Sequence, residues 1–112
     1  MALKVFNTLT KEKETFKPLV EGKVRMYNCG PTVYDYAHIG NFRAFVCGDI
    51  LKRYLLYKGF EVKQIMNLTD VDDKTIRRSQ EEKTPLRSFT LKYIQEFFKD
   101  LETLNISKAE TF

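Results

Sequence analysis

The residues best equipped for chemistry lie in one stretch, Cys29-Gly30-Pro31-Thr32-Val33-Tyr34-Asp35-Tyr36-Ala37-His38-Ile39-Gly40-Asn41, which joins a thiol, two glycines and the chain's single histidine. A thiolate is a soft metal ligand, and an imidazole can donate a hydrogen bond to developing negative charge. Glycine lets the backbone come close to a ligand. Such a set suits an anion best where a strand runs into a helix, because unpaired N–H groups and the positive end of the helix dipole meet there.

The flanking residues supply that junction. Val24-Arg25-Met26-Tyr27-Asn28 reads as a strand, with Val24 and Met26 on one face and Arg25 and Tyr27 on the other. Gly30-Pro31 ends it, since proline has no N–H for a ladder and turns the preceding residue away from helix. From Phe42 onward Phe42, Phe45, Val46, Ile50, Tyr54 and Tyr57 recur at helical spacing, and Gly59 stands where a helix stops. The pattern predicts strand, helix and strand over about 23–29, 41–58 and 61–67. Such a parallel βαβ unit brings Cys29 and Thr69 together at the carboxyl ends of its strands, where open α/β sheets bind ligands.

Upstream, Phe6 to Leu9 reads as an edge strand and Lys11-Glu12-Lys13-Glu14 as an exposed turn before Phe16-Lys17-Pro18-Leu19. Downstream, Asp70, Asp72 and Asp73 precede a short helix to about Ser79, and Gln80-Glu81-Glu82-Lys83 reads as a linker. Thr84-Pro85 then opens a second helix, threonine as N-cap and proline at the first position. Its stripe of Leu86, Phe89, Tyr93, Phe97, Leu101 and Leu104, spaced 3, 4, 4, 4 and 3 and widened by Ile94 and Phe98, is a core face.

Three ordered blocks carry a resemblance. His38-Ile39-Gly40-Asn41 is similar to the "HIGH" signature of class I aminoacyl-tRNA synthetases, and Met26-Tyr27-Asn28-Cys29-Gly30-Pro31-Thr32-Val33-Tyr34-Asp35 resembles the form it takes in the cysteinyl-tRNA synthetase family. Asn67-Leu68-Thr69-Asp70-Val71-Asp72-Asp73-Lys74 and Phe6-Asn7-Thr8-Leu9-Thr10 resemble two further segments of that family. Asn41 departs from the signature, which often has histidine there, and keeps a donor that cannot become cationic.

The resemblance implies the α/β class: the first half of a Rossmann-like class I synthetase catalytic domain, a parallel βαβ unit plus C-terminal helices filling residues 1–112 as a partial domain. It implies cysteine–tRNA ligase activity, the ATP-dependent activation of cysteine and its transfer to cysteine tRNA. His38 and Asn41 would be catalytic, and His38, Gly40 and Asn41 would bind ATP, with Gly40 leaving room for adenine. Cys29, Gly30, Thr32 and Thr69 would adjoin the substrate cysteine. Cys29 would be one ligand of a Zn2+ that takes the substrate thiolate, a chemistry that separates cysteine from serine. ATP would enter with Mg2+.

The later zinc ligands, the family's Lys-Met-Ser-Lys-Ser loop and any anticodon-binding region do not occur in these 112 residues. The expectation is therefore a fragment, inactive alone, whose partners are cysteine, ATP, cysteine tRNA and the C-terminal remainder of the synthetase. Two alternatives remain: a related ligase joining cysteine to a sugar amine, against which Pro31-Thr32-Val33-Tyr34-Asp35 argues, and a non-catalytic paralogue that binds nucleotide or protein.

Composition narrows the class without choosing the function. With 43% hydrophobic and 30% charged residues the chain has an ordinary globular balance. No apolar run approaches the roughly 20 residues of a membrane span, and no apolar signal core opens the chain, so a cytoplasmic protein with reduced thiols is expected. The net charge of +4 suits ATP or RNA but is common elsewhere. Cys47 falls inside the first helix and reads as core packing. The Asp70, Asp72 and Asp73 cluster has two readings, a magnesium site or carboxylates offsetting a helix dipole; the second is preferred, with Thr69 and Asp72 as a cap pair.

Overall fold

A computed structural model describes residues 2–112. In chain order the elements are β1 (Lys4–Asn7), β2 (Glu12–Thr15), β3 (Lys23–Asn28), α1 (Ile39–Tyr57), β4 (Glu61–Met66), α2 (Asp73–Glu81) and α3 (Leu86–Thr103). β3 and β4 pair in parallel, with Val24 opposite Val62 and Asn28 opposite Met66, and α1 makes the crossover between them. The expected βαβ unit is thus present. Its strict alternation put Val24 on the buried face of β3, and Val62, Gln64 and Met66 on that of β4. The other face, with Arg25, Tyr27, Lys63 and Ile65, is exposed.

A third strand position was not foreseen. Residues beyond α3 return beside β4, where the Met66 N–H donates to the Thr111 carbonyl (3.0 Å) and the Glu110 N–H to that of Gln64 (3.1 Å). The run Lys11–Glu14, expected as a turn, instead supplies most of β2, antiparallel to β1 with Lys4 opposite Thr15. The chain turns earlier, over residues 8–11 with Lys11 at φ 60°, so Thr8 and Leu9 of the expected edge strand lie in the turn and β1 begins at Lys4 instead.

The first helix differs most from expectation. Phe42 and Phe45 are buried, but Val46, Ile50, Tyr54 and Tyr57 are exposed, and so is the Cys47 thiol, which is not core packing. The inner face continues instead through Asp49, Lys52 and Leu55. Two charges face inward, Lys52 paired with the returning segment and Asp49 with Arg53 of the same helix. Lys52 Nζ lies 2.8 Å from Glu110 Oε1 and donates to the Lys108 carbonyl at 3.0 Å. Asp49 accepts from Arg53 Nε (2.7 Å) and from the Ser107 N–H (3.0 Å). Burial pushes both carboxyls up, but the bonds from Arg53 and Ser107 to Asp49, and from Lys52 and Gln64 to Glu110, outweigh it and leave each below its ordinary value. Gly59, at φ +88°, closes α1 as expected.

Helix α3 follows its stripe. Phe89, Tyr93, Phe97 and Leu101 are buried, while Leu104, just past the last turn, is exposed. Phe97 stacks on Phe42 (6.1 Å between centroids) and meets Phe45 edge-on (5.3 Å), in a core shared with Met66, Leu101 and Ile106. The N-cap is Pro85 rather than Thr84, with no side-chain cap bond, and the Thr84 hydroxyl turns back to the Glu82 carbonyl. Helix α2 runs past Ser79 through Glu81, shortening the expected linker.

Candidate functional site

His38 caps α1. Its backbone is extended (φ −111°, ψ 174°), its Nδ1 accepts the Gly40 N–H at 3.0 Å, and its own N–H donates to Asn41 Oδ1 at 3.0 Å. These reciprocal bonds start the helix two residues before the expected position. They also fix both polar heads. An N–H only donates, so Nδ1 must be the acceptor, and in the neutral ring the hydrogen sits on Nε2. Likewise Asn41 spends its oxygen on the cap and keeps Nδ2 as a donor. A Cβ on residue 40 would stand 2.8 Å from His38 Cε1, so glycine is what lets the imidazole fold back over the helix mouth.

The bonding also corrects the notion of free amides at that mouth. The Gly40 N–H is taken by His38's own ring, and the Asn41 and Phe42 N–H groups both reach the His38 carbonyl, at 2.9 and 3.1 Å.

The second half of the site lies where the two parallel strands end. Thr32 and Thr69 form a parallel bridge, the Thr69 N–H donating to the Pro31 carbonyl and the Val33 N–H to that of Thr69, each at 3.0 Å. Val33, 1% exposed, anchors the loop. Thr69 therefore sits against residues 31–33, while Asn67 takes the place beside the Cys29-Gly30 turn. Asn67 Oδ1 accepts from the Tyr27 hydroxyl (2.8 Å) and the Gly30 N–H (3.0 Å), and Nδ2 donates to Thr69 Oγ1 (2.9 Å). Gly30 is required here, because any Cβ would overlap the Asn67 carbonyl oxygen.

A cleft of about 280 Å3 connects the two halves. Gly30, Thr32, His38 and Asn41 line it, joined by Tyr34, Asp35 and Lys74. Cys29, Gly40 and Thr69 are not among its lining residues: Gly40 donates to the imidazole, Thr69 is bridged to Thr32, and Cys29 is exposed at the end of β3. Lys74 Nζ stands 5.2 Å over the Tyr34 ring, and Asp35 faces Arg78 of α2 at 3.8 Å. Sequence reading missed both Lys74 and Asn67. Lys74 was hidden in a block read for its carboxylates, and Asn67 beside the more suggestive Thr69.

The acidic block behaves structurally, though not with the expected pair. Asp72 is the N-cap of α2, its Oδ1 accepting from the Lys74 and Thr75 N–H groups at 2.9 Å, and Thr75, fully buried, returns a bond to the Asp72 N–H. Thr69 takes no part in that cap. Among the described residues no group of three or more His, Cys, Asp and Glu comes together, so Cys29, expected as one ligand, has no such companions and the residues present do not make a zinc site.

The model of the family described as "tRNA synthetases class I (C) catalytic domain" matches residues 15–112. Cysteine–tRNA ligase of Methanosarcina mazei is 56% identical over 110 residues, 98% of this chain and 23% of the relative. The ligase of Brachyspira hyodysenteriae is 57% identical over 104 residues, 93% of this chain and 22% of its own length. That of Pyrococcus horikoshii is 47% identical over all 112 residues, 24% of its length. The chain thus spans about a quarter of the curated relatives it matches.

Proposed function

The chain belongs to the tRNA synthetases class I (C) catalytic domain family, and from that membership we propose that it serves a cysteine–tRNA ligase as the Rossmann-like segment that handles ATP and cysteine. In the reaction the cysteine carboxylate attacks the α-phosphorus of ATP, entering as its magnesium complex; pyrophosphate leaves, and the cysteinyl adenylate passes its acyl group to the terminal ribose of cysteine tRNA.

Charge grows on the α-phosphate oxygens as the carboxylate approaches. His38 Nε2–H and Asn41 Nδ2–H are the donors assigned to it, held by bonds that need no rearrangement during the reaction. Gly40 keeps the imidazole seated. Gly30, Thr32 and Thr69 are assigned to the amino-acid end, where the parallel bridge sets their spacing. Cys29 is assigned to the substrate thiol side as one ligand at most, and no step rests on a metal.

The observation that carries this reading is the reciprocal cap of His38 and Asn41, which leaves each side chain an N–H donor that the cap does not use, in a cleft that Gly30 and Thr32 also line. The test is cysteine-dependent exchange of pyrophosphate into ATP. In the full-length ligase His38→Ala should lower the rate on the order of 10²- to 10³-fold, and the 112-residue chain alone should give none above a no-enzyme control. Titration of the chain with AMP should shift Gly40, Asn41 and Lys74 resonances first. Undiminished exchange in His38→Ala, or shifts confined to α3, would remove the assignment.

A further inference from the structure

The Asn67 carboxamide can be oriented without ambiguity. The Gly30 N–H is only a donor, so the atom 3.0 Å from it is Oδ1 and not Nδ2. The Tyr27 hydroxyl, 2.8 Å from that same oxygen, must donate to it as well. Nδ2 is therefore the atom facing Thr69 Oγ1 at 2.9 Å, and since an amide nitrogen cannot accept, the Thr69 hydroxyl is the acceptor in that bond. Its hydrogen cannot point back at Asn67. The Thr69 backbone has no freedom to reorient either, being bonded to Pro31 through its N–H and to Val33 through its carbonyl.

We infer that Asn67 is a positioning residue for the substrate amino acid: one side chain pins the Cys29-Gly30 turn to the end of the second strand and leaves the Thr69 hydroxyl hydrogen free for an oxygen acceptor on the ligand. The inference rests on the proposed place of Thr69 beside that ligand. Asn67 touches no reacting atom and acts through Thr69 and Gly30. Beside the backbone bridge of Thr69 to Pro31 and Val33, the single planar group of Asn67 adds a side-chain link joining Tyr27, Gly30 and Thr69, the last two nearly forty residues apart in sequence.

The variant that separates positioning from folding is Asn67→Asp. A carboxylate still accepts from Tyr27 and Gly30, so the turn is kept, but it also accepts from Thr69 and thereby consumes the hydrogen that Asn67 leaves free. In the full-length ligase, Asn67→Asp should raise KM for cysteine roughly tenfold, with kcat and KM for ATP within about twofold. Thr69→Val should do the same, and the double variant should be no worse than either single one, the coupling expected of residues acting as a unit. A carboxylate working by charge alone would still raise KM in the Thr69→Val background, and that result overturns the proposal, as does an unchanged KM in Asn67→Asp.

The 112-residue chain gives an independent arm. The Gly30 amide proton should keep its shift and its slow exchange in Asn67→Asp and lose both in Asn67→Ala; retention in Asn67→Ala overturns the link. If the wild-type ligase shows no cysteine-dependent exchange, the activity reading fails, and the Gly30 amide still decides whether Asn67 holds the turn.

Discussion

Gly40→Ala tests the helix mouth where stability and function should part company. The new Cβ would stand 2.8 Å from His38 Cε1 and 3.1 Å from Nδ1, too close for the ring to keep its 3.0 Å bond to the residue 40 N–H. The imidazole must swing away. Losing a side-chain N-cap costs about 1 kcal/mol, while alanine in place of glycine within a helix contributes about 0.5–1 kcal/mol in the opposite sense. The two nearly cancel, so the melting temperature should move by less than about 4 °C for a chain of this size. The donor proposed for the α-phosphate is displaced nonetheless, which should lower exchange in the full-length ligase on the order of 10²-fold. Nitrogen spectra of the ring report the cause directly, because His38 is the only histidine: wild type should show hydrogen on Nε2 alone, and Gly40→Ala a mixture of tautomers. A fall of more than about 8 °C with unchanged ring signals would mean that the imidazole does not fill the space claimed for it. Normal exchange with a displaced ring would mean that it is not the donor.

Gly30→Ala should be far more damaging to the fold, since its Cβ would meet the Asn67 carbonyl oxygen and Met66 Cγ; a loss of about 1–3 kcal/mol or more should appear as a lower urea midpoint, and an unchanged midpoint would refute the close approach. Acidification should loosen the returning segment. Asp49 and Glu110 both titrate below their ordinary values when folded, so their contribution is complete above the unfolded carboxylate range near pH 4 and is lost as pH falls through the lower folded values. The urea midpoint should drop below about pH 4, and Asp49→Asn should flatten that dependence; the same slope in the variant would acquit Asp49. The isolated chain should hold well under one zinc after gel filtration in micromolar zinc, with Cys29→Ser no different, because one thiolate does not make a site. Stoichiometric zinc that depends on Cys29 would overturn this.

The parts of the fold legible in the sequence are those that local pattern decides. β3 alternates Val24 and Met26 with Arg25 and Tyr27, β4 keeps that alternation of burial although Gln64 faces in and Ile65 out, and α3 carries an apolar stripe that ends up buried at Phe89, Tyr93, Phe97 and Leu101. The inner face of α1 was not legible because its apolar residues point outward and two charges point inward. Asp49 pairs with Arg53 one turn on, but Lys52 finds its partners, and Asp49 its second one, only at Ser107, Lys108 and Glu110, more than fifty residues away, where no spacing rule looks. Strand β2 was missed for a related reason: Lys-Glu repeats lack the alternation that marks a half-buried strand, and here β2 pairs with β1 alone in a two-stranded sheet that buries little of it.

At the site the motifs came together, yet the reason for expecting an anion there changes with the bonding. The dipole argument relied on unpaired amides at the start of α1, and three of these, Gly40, Asn41 and Phe42, are satisfied by His38 itself. What the first turn contributes to the cleft lining is instead one imidazole and one carboxamide, each held by its cap bond and each keeping an N–H that the cap does not use. Neither adds formal charge while the ring is neutral. Among the residues lining the cleft Lys74 is the single lysine or arginine, and Asp35, the one carboxylate there, is drawn toward Arg78. On the proposed function, a phosphate in this cleft would be oriented by α1 and attracted by Lys74 of α2. The block Asn67 to Lys74 thus serves both ends of the site, fixing Thr69 at one and placing a cation at the other.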